Sequence, residues 1–376
     1  MEALTHSSSE SASMQVSEMN FGLNMLRQTP VTESMVVSPV SVIFALAMVQ
    51  LGARNRTKLQ INKVIANDAA DRSIVSFYSD LSKNITNSPG TQARIANGFF
   101  LNKTFSIKKS YARMIAEKYG AVIEAYDFRQ AANTAKIIDS FVSQKTDGKI
   151  ENFIKSDAVE GADALIVNAI YFKANWYHEF NKKSTKEALF HHSADNKGKV
   201  SYMSEYRKNR MYAENEVVQV LSLPYKDTSY SFNIFLPKER FGIDELRTKL
   251  DGATIQNLLS RLKSTLLDIS IPKMKLEKDY ELKQALLAMG VSDLFDRDLA
   301  DLSGISENDL YVSDAKHRAF IEVDEEGTTA AAATYIGMKR LRMRQIRREP
   351  KKFIADHPFI FILTKDKNSL FIGQFV

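Results

Sequence analysis

Glu325-Glu326-Gly327-Thr328-Thr329-Ala330-Ala331-Ala332-Ala333-Thr334 is the stretch on which the reading of this chain turns. It follows an apolar, strand-like run (Ala319, Phe320, Ile321, Glu322, Val323) and precedes a dense basic stretch and a strongly apolar tail. Four alanines favour a helix, because alanine has the best intrinsic propensity. Threonine at both ends weakens that preference, and such a helix would have no apolar stripe with which to dock. The alternative is an extended segment that slides between two strands of a buried sheet, which needs a small side chain at every inward position. At a period of two, Thr328, Ala330, Ala332 and Thr334 share one face.

The basic stretch beside it holds most of the chain's charge. Lys339, Arg340, Arg342, Arg344, Arg347, Arg348, Lys351 and Lys352 stand against one acid, Glu349, a local charge of +7 within a net charge of +6. The rest of the chain is therefore close to neutral. With 44% hydrophobic and 26% charged residues it has the composition of an ordinary soluble globular protein. No apolar window is long enough for a membrane helix, and the N-terminus lacks the basic start and apolar core of a cleaved secretion signal. The absence of cysteine excludes disulfides, zinc-thiolate sites and thiol nucleophiles, and suits a reducing compartment. Sequons at Asn55, Asn84 and Asn102 matter only on a secretory route.

Residues 1–15 read as a frayed tail, and Met19, Phe21, Leu23, Met25 and Leu26 mark a first amphipathic helix over 17–27. Ser38 and Pro39 open a second helix as cap and first-turn residue, and its run from Val42 to Met48 is apolar all round, so it should be buried. Strand patterns lie at 164–172, 230–236, 266–271, 319–323, 359–364 and 369–376, the last two forming a hairpin around Lys365-Asp366-Lys367-Asn368. Helices dominate the first 150 residues and strands the remainder. With no repeat and no Gly/Pro-rich boundary, one mixed α+β domain over 1–376 is the simplest account.

Six fragments in order resemble the serpins: VVSPVSVIFALAMVQLGARNRTKLQI (36–61), ANGFFLNKTFSIKKSYARMIAEKYGAVIEAYDF (96–128), IDSFVSQKTDGKI (138–150), ALIVNAIYFKANW (164–176), IPKMKLEKDYELKQALLAMGVSDLFD (271–296) and DLYVSDAKHRAFIEVDEEGTTAAAAT (309–334). The resemblance covers nearly the whole chain. Phe141 stands where tryptophan is usual in that family, Asp139 for asparagine and Ala174 for glycine. The chain stops at Phe375-Val376, and Glu325 to Pro358 is several residues longer than in the plainest members. The resemblance implies three β-sheets, eight or nine helices and an exposed reactive loop over about 325–357.

It also implies a mechanism. A protease attacks the loop and forms an acyl-enzyme, and the loop then inserts into the main sheet, from Glu325 through Thr334, before the ester hydrolyses. Some 15 newly paired residues at ~1 kcal/mol each give a driving force on the order of 15 kcal/mol before entropy. Lys273 is expected to pair with Glu325 where insertion starts, and Ser38, Ser41, Asn168 and His317 to form a polar cluster under the sheet. An exposed Ala-rich helix in a non-inhibitory member of the family is the plainer alternative. A hydrolase built on Ser38 or Ser41 with His317 is rejected, since no carboxylate is indicated to orient the imidazole and no Gly-x-Ser-x-Gly elbow exists. His191-His192 has no partners at metal-ligand spacing, and neither a metal nor a cofactor is expected.

Target choice falls to the basic stretch. Counting Glu325 as the first residue, the seventeenth is Leu341, where the family usually places the residue before the cut. Arg340 or Arg342 would suit a trypsin-like protease, whose acidic pocket pairs with a cation. Leu341-Arg342 would suit a papain-like cysteine protease, and the Arg344–Arg347 spacing a proprotein convertase, with Arg348 a further secondary site. The same cations could bind a polyanion or a nuclear import receptor over 339–352, although no aromatics interleave with them for base stacking. The helix near Asp71–Lys83, which binds heparin in some serpins, shows no comparable cluster. The expectation is a monomeric, membrane-free suicide inhibitor of an endopeptidase of basic specificity. Its expected compartment is the cytoplasm, with the nucleus, or export through an uncleaved signal, as alternatives.

Overall fold

The computed structural model describes residues 2–67, 69–86, 91–327 and 349–376, and of residues 2–9 the backbone alone. The first part of the chain runs α1 (Glu2–Arg27), β1 (Met35–Val37), α2 (Pro39–Gly52), α3 (Asn55–Ala66), α4 (Asp71–Thr86), β2 (Thr91–Asn102), α5 (Lys109–Tyr119), β3 (Val122–Tyr126), α6 (Ala131–Lys145) and α7 (Ser156–Val159). Then come β4 (Ala164–Ala174), β5 (Lys186–His191), β6 (Lys197–Glu214), β7 (Val218–Pro224), β8 (Tyr230–Pro237), α8 (Ile243–Lys249) and α9 (Gly252–Ser260). The last part is β9 (Lys263–Pro272), β10 (Met274–Tyr280), α10 (Leu282–Ala288), β11 (Asp314–Val323), β12 (Lys351–Ile354), β13 (Phe359–Lys365) and β14 (Asn368–Phe375).

Three expectations are corrected. Residues 2–15 of the expected tail are part of α1. Met14, Glu18, Phe21 and Met25 are buried at helical spacing, and the Gln15 side chain donates to the Asp366 carbonyl at 2.9 Å, so packing overrides the weak propensity of the serine-rich start. There are ten α-helices among the described residues rather than eight or nine. The strands form two hydrogen-bonded sheets rather than three. The 18-residue β6 is the cause, because it pairs with β5 at its start, with β9 along most of its length and with β7 at its end. It thereby fuses two sheets into one of nine strands, with an irregularity between Glu205 and Lys208 where it bends.

The second sheet has five strands in the order β10-β11-β4-β2-β3. Its central strand β4 alternates between two cores. Ala164, Ile166, Ile170 and Phe172 pack with α2 and the large sheet. Leu165, Val167, Ala169 and Tyr171 pack under Ala135, Ile138 and Val142 of α6. β4 is thus buried on both faces, and it runs parallel to β11 from Leu165↔Asp314 to Phe172↔Ile321. α2 begins as its sequence indicates: the Ser38 hydroxyl accepts from Ser41 N and Pro39 takes the first position. Its side chains are buried all round, each large apolar one contributing about 1.5–3 kcal/mol. The β13–β14 hairpin closes through Asp366 and Lys367, both at positive φ, the conformation a two-residue hairpin turn requires.

Candidate functional site

The chain leaves β11 at Val323 and turns at once. Asp324 N donates to the Gly327 carbonyl at 3.0 Å, and Glu326 N to the Asp324 carboxylate at 2.9 Å. Gly327 has φ +115°, and a Cβ there would lie 2.4 Å from the Ala174 carbonyl oxygen and 2.6 Å from Trp176 N. Only glycine fits so close to the exit of β4. That exit grips the turn in return. Trp176 N donates to the Glu326 carbonyl at 2.9 Å, Phe180 N to the Glu325 carbonyl at 2.8 Å, and the Trp176 indole N–H to the Asp324 carbonyl at 2.8 Å. Trp176 is itself buried and stacked on Tyr225, with ring centroids 4.4 Å apart.

Two ion pairs flank the turn. Lys273 Nζ meets Glu325 Oε2 at 2.8 Å while the Thr185 hydroxyl donates to Oε1 at 2.7 Å, so the two residues expected to pair do so. Burial works to raise the Glu325 carboxyl, but the bonds from Lys273 and Thr185 outweigh it and hold the group below its ordinary value. Lys182 pairs with Glu326 on the other side of the turn. That second pair escaped the sequence reading, because nothing in the spacing of Lys182 brings it to Glu326; only the path of the chain after β4 does. Asp324 goes the other way, its carboxyl raised by burial.

Below this root lies a row of polar side chains across the sheet. Asn97 on β2, Asn168 on β4, His317 on β11 and Tyr280 on β10 occupy one register level. His317 Nε2 accepts from Ser38 N at 3.0 Å, which leaves Nδ1 protonated to donate to Asn168 Oδ1 at 2.6 Å. Asn168 Oδ1 also accepts from the Ser41 hydroxyl at 3.1 Å, and its amide donates to the Ser41 carbonyl at 3.0 Å and to Asn97. The Ser38 hydroxyl donates to the Leu370 carbonyl at 2.5 Å. The four expected residues are therefore one network, joined by Asn97, which sequence reasoning missed, while Tyr280 only sets its ring against His317 and donates its hydroxyl to the Met25 carbonyl at 2.8 Å. Both His317 nitrogens are engaged, so neither can take a proton from a serine hydroxyl. Burial pushes its pKa down to about 3, against the opposing pull of Asn168 and Asp279.

Thr328 to Thr334, Arg340, Leu341, Arg342, Arg344, Arg347 and Arg348 lie outside the described residues. Beyond them, β12 pairs parallel with β9. His191 and His192 gain no ligand partners, and no cluster suited to a metal ion occurs among the described residues. No helix there is long and apolar enough to cross a membrane.

This architecture has many counterparts. A family model described as "Serpin (serine protease inhibitor)" matches residues 16–376. The chain is 35% identical to the leukocyte elastase inhibitor of Equus caballus over 369 residues, which is 93% of this chain and 94% of that protein. It is 33% identical to Serpin B4 of Homo sapiens over 362 residues, 90% of this chain and 92% of that one. Among solved structures, Serpin48 of Tenebrio molitor superposes with a TM-score of 0.85 at 29% identity, covering 97% of this chain and 96% of that chain. Uncleaved ovalbumin superposes with a TM-score of 0.85 at 26% identity, covering 96% of this chain and 99% of that chain. The chain belongs to the serpin family, the serine protease inhibitors.

Proposed function

We propose that this chain, acting as a monomeric single domain, is a one-use inhibitor of an endopeptidase of basic specificity, foremost a trypsin-like serine protease. It acts by inserting its own loop between β4 and β11. The observation that carries the reading is the position of Gly327, which forms antiparallel bridges both to Asn175 at the exit of β4 and to Asp324 at the exit of β11. A segment continuing from Gly327 between these two parallel strands would run antiparallel to both. One parallel pairing would be exchanged for two antiparallel ones, and the first rung of each is already in place.

Length and charge support the same reading. An inserted strand matching the 11 residues of β4 would run from Thr328 to Met338. No residue in that run is charged, and the charges begin at Lys339. Because β4 is buried on both faces, its new neighbour would be buried too, where an unpaired cation is strongly unfavourable. The candidate bonds at Arg340, Leu341 and Arg342 follow directly, in the part that would stay outside the sheet. There the target's serine oxygen joins the carbonyl carbon of the residue before the cut, and the departing amide nitrogen takes a proton from the protease's histidine. Insertion then carries the acylated protease away from the geometry needed to hydrolyse the ester. The absence of cysteine supports a cytoplasmic setting for this encounter.

The test is incubation with trypsin and with papain, read by denaturing electrophoresis and mass spectrometry. A denaturant-resistant species at the summed mass is expected with trypsin, together with a released C-terminal peptide that names the bond. Stoichiometric loop cleavage with no covalent species for either protease overturns the proposal and leaves a substrate-like serpin.

A further inference from the structure

A cleft at one end of the large sheet takes no part in the loop mechanism. Its volume is about 470 Å³, within the range of small-molecule sites. Three pieces of chain form its walls: Val31 and Thr32 after α1, the β5–β6 turn around 192–196, and Phe241, Ile243 and Asp244 at the start of α8. The buried Pro358, just before β13, completes it. The walls are fixed by bonds of their own. In the β5–β6 turn Ser193 N donates to the Asn196 carbonyl, and Asn196 N to the Ser193 hydroxyl, both at 3.1 Å. Asp356 ties the neighbouring segments together: its carbonyl accepts from His191 N at 2.8 Å, and its carboxylate meets Arg240 at 2.9 Å and His357 Nδ1 at 2.8 Å.

The lining joins an apolar body to two polar groups that the fold leaves over. Val31, Ala194, Ile243 and Pro358 supply apolar surface, and the Phe241 ring beside them stays 47% exposed. The His192 ring rests on Phe190 and over Gly198, where a Cβ would come 2.6 Å from its Nε2. Neither of its nitrogens has a hydrogen-bond partner among the described residues. Asp244 is the one charged side chain in the lining, and its carboxylate makes no hydrogen bond or salt bridge among the described residues. Arg247, one turn further along α8, is turned instead to the Leu26 and Thr29 carbonyls, at 2.8 Å each.

We propose that this cleft binds an amphiphilic organic cation, a protonated amine carried on an aromatic or alicyclic body. The apolar walls would take the body. Asp244 would pair with the ammonium, and the open face of Phe241 would add a cation–π contact. His192 would hydrogen-bond a polar substituent of the ring. A neutral hydrophobe would cover Asp244 without compensating its lost hydration, and an anionic one would be repelled by it. The site does not depend on the inhibitory reading.

The experiment titrates the full chain with monodansylcadaverine, a fluorescent aromatic amine, and with dansyl-6-aminohexanoic acid, which carries the same ring body on a tether ending in a carboxylate. The amine is expected to gain emission with a Kd on the order of 10–100 μM, and the acid to bind at least about fivefold more weakly. Asp244→Asn should raise the Kd of the amine about three- to fivefold, an effect that shrinks as salt is added, and should narrow the gap between the two probes. Ala194→Arg, which brings bulk and a cation into the mouth, should abolish binding. Leu299→Ala, at an exposed apolar residue outside the cleft, should change the Kd less than twofold. Positions 194, 244 and 299 are all exposed, and equal melting temperatures would verify that the variants fold. Equal affinity of the wild type for the two probes overturns the proposal, because the carboxylate then selects nothing. So does an unchanged Kd in Ala194→Arg, which would place the probe elsewhere, or the absence of any emission change up to about 1 mM amine.

Discussion

Acidification should weaken this fold through one imidazole. In the folded chain His317 is neutral, with Nε2 committed to accepting from Ser38 N and Nδ1 to donating to Asn168. A second proton would set an N–H against an N–H, in a site with no solvent to screen it. Folding therefore depresses the pKa from 6.5 to about 3. Between those values the unfolded chain holds a proton that the folded chain does not. The stability contributed by the neutral ring is thus complete above pH 6.5 and is lost as pH falls toward 3. At pH 5 the loss from this one group is about 2 kcal/mol, or about thirtyfold in the unfolding equilibrium. The perturbation is His317→Gln, which keeps a polar side chain but cannot titrate. Urea unfolding at pH 7.5 and pH 5 for both proteins gives a double difference in which every other group cancels. The wild type should lose about 2 kcal/mol more than the variant on acidification. Equal losses in the two would refute the assignment of a buried neutral ring.

The remaining predictions concern the root of the loop, the loop itself and α1. Lys273→Ala leaves the buried Glu325 carboxylate with Thr185 alone and should cost about 1–3 kcal/mol, seen as a lower denaturant midpoint. Gly327→Ala should cost about 2 kcal/mol or more, since a Cβ would lie 2.4 Å from the Ala174 carbonyl oxygen at a φ of +115°; an unchanged midpoint would contradict the geometry. Ala332→Arg places a cation in the run proposed to insert, so the covalent complex with trypsin should vanish while loop cleavage persists, as electrophoresis would show. Burial raises the Glu18 carboxyl to about 8 against hydrogen bonds from Ser369, so the stability it contributes is full below its ordinary value and is lost as pH rises through 8. Glu18→Gln should remove that alkaline decline in thermal unfolding curves measured between pH 6 and 9.

What could be read before the fold was seen follows a physical division. α2 and the β13–β14 hairpin were legible because their own residues carry the signal: a Ser-Pro start, and apolar runs that must be buried on every side. β6 was missed because its alternation is broken by its bend and obscured by Lys197, Lys199, Arg207, Lys208 and Arg210. Its edge of charge looks like a loop until three partner strands are known. β11 was expected from Ala319 but starts at Asp314, since Asp314, Lys316 and Arg318 interrupt the apolar pattern on one face. At the site, Lys273 and Glu325 were named from family resemblance and are found in contact. Asn97 was invisible, because one of three amides in the strand Thr91–Asn102 becomes part of a network only when register sets it against Asn168. Long-range register is a property of the assembled sheet, and no local pattern encodes it.

The chain contains one tryptophan, and the fold puts it at the root of the loop. The Trp176 ring lies flat on Tyr225 and its indole N–H holds the Asp324 carbonyl, while its own backbone N–H holds Glu326. Selective excitation of indole emission therefore reports from a single address in this chain, with no label, once the emission of the protease alone is subtracted. A rearrangement between β4 and β11 must change either the stacking or that hydrogen bond. The time course of the emission change in stopped flow would be a clock for the first step of the proposed loop movement, separable from bond cleavage by repeating it with a protease that cannot acylate.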